Sequence, residues 1–323
     1  MFRILVVGAG NIGARHIQSL CQLNDIKIDV LEPVKESLHN LKSIIGSKNY
    51  TKISFYEKIS EIKTLPGIAI VATPAKPRKK IILKLLDIGI EKFLLEKLVC
   101  QSTKQYDSIL KAFSEYDNAE GWVNFPRRYL PIYNFLKENF DKDSEPIKML
   151  VDTGDLGIAC GAIHQIDIFQ YITNAKRLSI DESCVKLETI PSKREGYIDF
   201  SGNISILSNN EDRLLLNFTD DEFWPLLEVY RNSKSYYVID NDHEFSHCAL
   251  KDDGWVWKKT STPTLPPLVS QITKEIVFDI MYKNKSKMPT LLESYNSHQL
   301  ILDLLLKHYN ENVDNNANIL PVT

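Results

Sequence analysis

The chain lacks any Cys-x-x-Cys pair. Its five cysteines are odd in number and widely spaced, which argues against a disulfide framework and fits a reducing compartment. It also lacks an excess of positive charge: 39 Lys and Arg stand against 42 Asp and Glu, for a net charge of −3. No basic field therefore draws it to nucleic acid or to an anionic membrane surface. No apolar run approaches the ~18 residues of a membrane span. The apolar opening MFRILVVGAG is too short for a secretory leader and runs into a glycine pattern with no cleavage site. No internal repeat is visible. A metal site is not expected either. His243 and His247 in HEFSHC would stand roughly 13 Å apart on a strand, too far for ligands that meet at ~2 Å from one centre. The expectation is a cytoplasmic protein without nucleic-acid or membrane partners.

What is present begins at the first residues. FRILVVGAGNIGARHIQSL opens with a continuous apolar strand, passes through Gly8, Gly10 and Gly13, and continues with helical periodicity at Ile12, Ile17 and Leu20. Gly8 permits the tight turn and Gly10 lets a pyrophosphate approach the backbone. Gly13 lets helix and strand come close, and the helix start offers free N–H groups to phosphate. Asn11 and Ile12 open that helix and join the glycines as cofactor candidates. A second strand, IKIDVLE, ends at Glu32, 19 residues past Gly13, where a carboxylate can hold the adenosine ribose hydroxyls. The same carboxylate would repel a 2′-phosphate, so the expected cofactor is NAD.

The alternation continues. GIAIVATPA is a buried strand ending at Thr73 and Pro74, and a helix is expected from Pro77 to a stop at Gly89. KFLLEKLV is the next strand, with Glu96 and Lys97 at its end. A helix from about Thr103 to Tyr116 and a strand at GWVN follow. Strand–helix alternation means a doubly wound parallel sheet with ligands at the strand carboxyl ends. Thr73, Pro74, Glu96 and Lys97 fall there.

GAGNIGARH, VATPAKPR, LLEKL and AIHQID, in that order, resemble the Gfo/Idh/MocA oxidoreductases, the glucose–fructose oxidoreductase and inositol dehydrogenase-like enzymes that act mainly on sugars, cyclitols and nucleotide sugars. The resemblance covers nearly the whole chain. It implies an N-terminal Rossmann domain over residues 1–121. An α+β domain for substrate binding and oligomerisation would follow over 122–323, built on an open, mostly antiparallel sheet. The face of that sheet implies a homodimer or homotetramer. By the same resemblance Lys97 matches a lysine that touches substrate and nicotinamide ribose. His164 matches the catalytic acid/base, and Thr73 and Pro74 match the segment beside the nicotinamide. Three positions depart from the pattern: Leu98 replaces a proline, Arg78 stands where histidine is frequent, and Cys160 stands where aspartate is usual, four residues before His164.

His164 sits in CGAIHQID, where Cys160, His164 and Asp167 share one face of an expected helix from about Gly157 to Ile172. Alone, such a histidine reads as a structural residue; with the resemblance and Lys97 it reads as the group that moves the hydroxyl proton. Cys160 among small residues reads as a small apolar side chain. NFPRRYLPIY brings Arg127 and Arg128 together with Asn124 near the domain junction. Either arginine could grip a carboxylate or phosphate, or the two could be solvated or salt-bridged. Asp167 is a further substrate candidate.

Beyond this lie the strand-like runs VKLETI, GNISILS, RLLLNF, SYYVID and GWVWKK, then helices near Leu268–Tyr282 and Tyr295–Tyr309. The polar tail of about 310–323 is expected to be mobile. The function expected is NAD-dependent hydride transfer on a secondary alcohol or ketone of a sugar or nucleotide sugar, with surface-glycan biosynthesis as a setting. Two rivals stand beside it: a glycosidase or lyase that oxidises its substrate transiently with bound NAD, and a non-catalytic dinucleotide sensor.

Overall fold

The computed structural model describes all residues except 1, 141–144, 155–156, 193, 220–226, 234, 240–243, 252–253, 262–268 and 284. The chain forms two compact units. The first is Met1–Pro126 with Pro267–Tyr295, and the second is Arg127–Pro266 with Asn296–Thr323. The chain thus crosses between units three times, where a single break after residue 121 would give one crossing.

The first unit is built on β1 (Phe2–Val7), β2 (Ile26–Leu31), β3 (Ile53–Tyr56), β4 (Ile68–Val71), β5 (Lys92–Leu95) and β6 (Glu120–Val123). All six run parallel in the order β3-β2-β1-β4-β5-β6. Ile4 to Val7, all of β4, and Phe93 to Leu95 are buried, as expected of parallel strands covered on both faces. The helices are α1 (Asn11–Leu20), α2 (Lys35–Ile45), α3 (Ser47–Tyr50), α4 (Ala75–Asp87) and α5 (Thr103–Ser114). Helix α4 begins two residues before Pro77, which sits in its first turn, where a missing N–H costs nothing.

The second unit begins with α6 (Pro131–Phe140), β7 (Lys148–Thr153) and α7 (Ile158–Thr173). Seven strands follow: β8 (Leu178–Pro191), β9 (Ile198–Ser208), β10 (Arg213–Phe218), β11 (Leu227–Arg231), β12 (Ser235–Ile239), β13 (Glu244–Lys251) and β14 (Gly254–Ser261). With β7 they form one eight-stranded sheet in the order β14-β13-β12-β11-β7-β10-β9-β8. Every pair is antiparallel except β7 with β10. Along β7 and β10 the side chains alternate: Met149, Val151, Leu214 and Leu216 are buried, while Leu150 and Leu215 are exposed. Helix α7 lies against β9 and β10, and α6 against α7.

Helix α8 (Val269–Lys283) belongs to the first unit because it packs on α1. It buries Ile272, Ile276, Val277 and Ile280, and the Lys274 N–H donates to Ser19 Oγ at 3.1 Å. The following segment runs beside β6, with Val123 N–H donating to Pro289 O and Leu291 N–H to Gly121 O. Helix α9 (Tyr295–Asn312) then leads into the second unit.

The tail corrects an expectation. Leu320 and Val322 are fully buried, Ile198 N–H donates to Pro321 O at 2.9 Å, and Arg194 Nη1 donates to Thr323 Oγ1 at 3.0 Å. The polar stretch conceals an apolar pair two residues apart, and the fold buries that pair. The histidines of HEFSHC cannot be placed: His243 and the side chain of His247 lie outside the described residues. No helix among the described residues is long and apolar enough to cross a membrane.

Candidate functional site

The register of the parallel sheet aligns the strand ends. Val7 lies opposite Leu31 and Val71, Val71 opposite Leu95, and Leu95 opposite Val123. The residues just past this row are Gly8, Glu32, Ala72, Glu96 and Asn124, with Thr73 and Lys97 one step further. Five strand ends therefore bring most of the first unit's candidates to one edge.

The glycine loop is shaped by close approach. Gly8 has φ +92°, a region that favours glycine, and a Cβ on Gly13 would stand 1.9 Å from Gly8 O. A Cβ on Gly10, by contrast, would meet nothing within 4 Å, so space stays open before the helix. Asn11 and Ile12 are exposed there, and Gly10, the residue at the cap position, makes no side-chain cap. Glu32, 8% exposed, accepts from the N–H of Ala9 at 2.7 Å and from that of Val34 at 2.9 Å. A carboxylate is thus fixed against the glycine loop with acceptor capacity left on each oxygen. Open backbone at an uncapped helix start, with a carboxylate beside it, fits a dinucleotide.

At the ends of β4, β5 and β6 a second group assembles. Glu96 Oε1 lies 2.9 Å from His16 Nε2 and accepts from Asn124 Nδ2 at 2.6 Å. His16 is wholly buried, and its Nδ1 lies 2.8 Å from Thr273 Oγ1. That hydroxyl donates to Val269 O at 2.7 Å, so it accepts from Nδ1. Burial pushes the Glu96 carboxyl up most strongly, but the hydrogen bond and charge of His16, the Asn124 amide and the Arg78 charge outweigh it and leave it below its ordinary value. Among the described residues, Thr73 Oγ1 and Asn124 Oδ1 are buried and have no hydrogen-bond partner. Pro74 precedes α4 at its cap position. Lys97 is half-buried, and its bond to Leu98 is cis with no proline present.

Two members of this group escaped sequence reasoning. His16 was visible only as part of a motif, and Arg78 only as a departure from one. Arg78 is 2% exposed; its guanidinium donates to the carbonyls of Thr73, Glu96 and Leu98.

In the second unit Arg127, Arg128, His164 and Asp167 gather around α7. Arg127 pairs with Glu228, a fully buried carboxylate that also accepts from Tyr133 at 3.0 Å, Gln165 at 3.2 Å and Tyr230 at 2.6 Å. Burial acts most strongly on the Arg127 guanidinium and favours its neutral form. The tyrosine oxygens and Glu228 outweigh that and hold it above its ordinary value. Arg128 grips Asp167 through two bonds of 2.9 and 2.7 Å and lies 5.1 Å from the Tyr171 ring. His164 and Cys160 are half-buried on α7. The first turn of α7 is capped from a distance: Asp199 accepts from the N–H groups of Ala159 and Cys160 at 2.7 and 3.1 Å. Gly157 makes room for it, since a Cβ there would stand 2.2 Å from Asp199 Cγ.

A parallel sheet with an open glycine loop and a fixed acidic residue defines a dinucleotide-binding protein. Residues 2–125 match the GFO_IDH_MocA family model, the NAD-binding Rossmann fold of an oxidoreductase family. Over those residues the chain matches the NAD-binding domain of the Gfo/Idh/MocA oxidoreductases, and NAD is its cofactor. No curated protein matches the chain by sequence. Among solved structures it is similar to an oxidoreductase from Agrobacterium radiobacter in complex with NAD⁺, L-tartaric acid and magnesium (10% identity, 93% of this chain and 94% of that one, TM-score 0.73). It is also similar to the UDP-N-acetylglucosamine 3-dehydrogenase GnnA from Acidithiobacillus ferrooxidans (11%, 94% and 95%, TM-score 0.70). A third likeness is to a super-repressor mutant of Gal80p from Saccharomyces cerevisiae (14%, 97% and 98%, TM-score 0.75). At such identities these likenesses establish the fold alone.

Proposed function

We propose that the protein transfers hydride between NAD and a secondary alcohol or ketone of a sugar or nucleotide-linked sugar. The observation that carries this reading is Lys97, placed one residue past Glu96 in the same row of strand ends as the glycine loop. NAD, when bound, supplies the hydride acceptor. Gly8, Gly10, Asn11, Ile12, Gly13, Glu32, Thr73, Pro74, Glu96 and Lys97 are the residues assigned to hold it. His164 carries the acid/base role that the resemblance implies, taking a hydroxyl proton in the oxidative direction. Lys97 carries the implied role at substrate and nicotinamide ribose, where an ammonium orients an oxygen and stabilises negative charge on it. Glu32 favours NAD over NADP because its carboxylate would face a 2′-phosphate.

Asn124, with one amide oxygen unpartnered, is the further candidate for a substrate hydroxyl. Arg127, Arg128 and Asp167 meet internal partners within the second unit, so they enter as supports of α7, and the arginine pair gives no argument for an anionic substrate. The nucleotide-sugar reading draws support from the likeness to GnnA and would set the enzyme in surface-glycan synthesis, in a cytoplasmic setting. The oligomer proposed is a homodimer or homotetramer formed through the second unit's sheet.

The test is nicotinamide absorbance and product analysis during incubation with NAD⁺ or NADH and a panel of free and nucleotide-linked sugars and their keto forms. His164→Ala runs alongside, and NADPH is titrated in parallel. Turnover that falls about 10²–10⁴-fold in the variant, with NADH still bound, is the expected result. Product without net absorbance change points instead to the transiently oxidising glycosidase or lyase. Cofactor binding with neither product nor redox change points to a sensor, a role the fold alone does not exclude. NADPH binding as tight as NADH would overturn the role given to Glu32.

A further inference from the structure

We infer that Arg78 is a positioning residue for Lys97, replacing by side-chain hydrogen bonds the restraint that proline supplies in the motif this segment resembles. The inference rests on the assignment of Lys97 to the site.

Three observations meet here. First, the acceptors of the Arg78 guanidinium are the carbonyls of Glu96 and Leu98, the residues on either side of Lys97, together with Thr73 at the end of the neighbouring strand. Backbone carbonyls just past the end of a strand have lost their ladder partners and need others when buried. A guanidinium presents five donors in a rigid fork and can serve several at once, which an imidazole cannot. Second, position 98 carries leucine. Proline there would fix the local φ through its ring; leucine does not, and the Leu98 carbonyl is instead held by Arg78. Third, the side chain comes from the first turn of α4 and is 2% exposed. A cation is costly to bury without compensation, and it is compensated here by carbonyl dipoles and by its favourable action on Glu96. The two departures from the family pattern, Arg78 and Leu98, are thus one arrangement: the residue that differs at 78 bonds the residue that differs at 98. The same fork ties the Lys97 segment to Thr73, so the two strand ends move together.

The test needs neither substrate nor turnover, so it stands or falls apart from the proposed reaction. Lys97 and the exposed Lys111 are labelled with a trace amine-acylating reagent, and the rates are read by peptide mass spectrometry. The proteins are wild type, Arg78→Met, Arg78→His and Arg78→Lys, each with its melting temperature recorded. We expect Lys97 labelling in Arg78→Met to change by about threefold or more, since the orientation of the side chain is lost, with Lys111 unchanged. Arg78→Lys, which keeps a cation but loses the fork, should lie between, and Arg78→His should lie closer to Arg78→Met. If Arg78→Met fails to fold, the comparison of Arg78→Lys and Arg78→His with wild type carries the test. Lys97 labelling that matches wild type in every folded variant, whatever the melting temperatures, would overturn the inference and leave Arg78 a support of the sheet alone.

Discussion

At the scale of single residues, the buried group around Glu96 makes a definite claim about acid. His16, Asn124 and the Arg78 charge hold the Glu96 carboxyl below its ordinary value despite burial. A carboxyl depressed in the folded state contributes stability that is present above its unfolded value, near 4.5, and is lost as pH falls through the lower folded value. Glu96→Gln keeps an acceptor for the Asn124 amide but removes the charge. Chemical denaturation at neutral pH should find it less stable than wild type by about 1.5–3 kcal/mol, the range for hydrogen bonds to a charged group. The difference should shrink as the buffer is taken below pH 4.5. A difference that stays constant across that range would mean that Glu96 is not ionised in the native protein. None of this was legible in the sequence. His16 lies 80 residues from Glu96 and 257 from Thr273, and no local spacing connects them.

Secondary-structure elements were read with uneven success, for physical reasons. Strands β1, β4 and β5 were legible because parallel strands covered on both faces read as near-continuous apolar runs. Strands β2 and β6 were legible from their places in the strand–helix alternation, although β2 carries the buried Asp29. The loop after β1 was legible because its glycines have a steric purpose. Strand β11 was not, since its second residue is Glu228, a charge that sequence patterning assigns to solvent and the structure buries against Arg127. Strand β3 is only four residues long at the sheet edge and gives little periodicity. Helix α8 was legible as a helix, but nothing in its pattern said which unit it would join. The glycine loop allows a paired test of the element that was read best. Gly13→Ala forces a Cβ to within 1.9 Å of Gly8 O, so it should lower the melting temperature and weaken NADH binding together. Gly10→Ala meets no atom within 4 Å and has an ordinary φ of −66°, so its melting temperature should match wild type. Its NADH affinity should still fall by about tenfold or more, because the close backbone approach to the pyrophosphate is blocked. Fluorescence titration with NADH, beside thermal melts, separates the two effects. Unchanged affinity in Gly10→Ala would remove the pyrophosphate from this loop.

For the molecule as a whole, the open question lies on the outer face of the second unit's sheet. Leu150 of β7 and Leu215 of β10 are 37% and 39% exposed and stand directly opposite each other in register. Beside them Asn217 donates to Asp152 at 2.7 Å, so one polar pair is satisfied without leaving the face. Scattered exposed leucines need no explanation, but two side by side at the centre of an eight-stranded sheet form a patch of the kind that marks contact surfaces. The inner positions of the same strands already bury Met149, Val151, Leu214 and Leu216, so the outer leucines are not needed for the unit's own core. A closed two-fold assembly would place the same patch on both copies, and one substitution would then act twice at the interface. Size-exclusion chromatography with light scattering should find wild type as a dimer or tetramer at micromolar concentration and Leu215→Arg shifted to a smaller species. NADH affinity per protomer should be retained in the variant, because the glycine loop belongs to the other unit. A monomeric wild type, or an unshifted Leu215→Arg, would assign this face to something other than self-association.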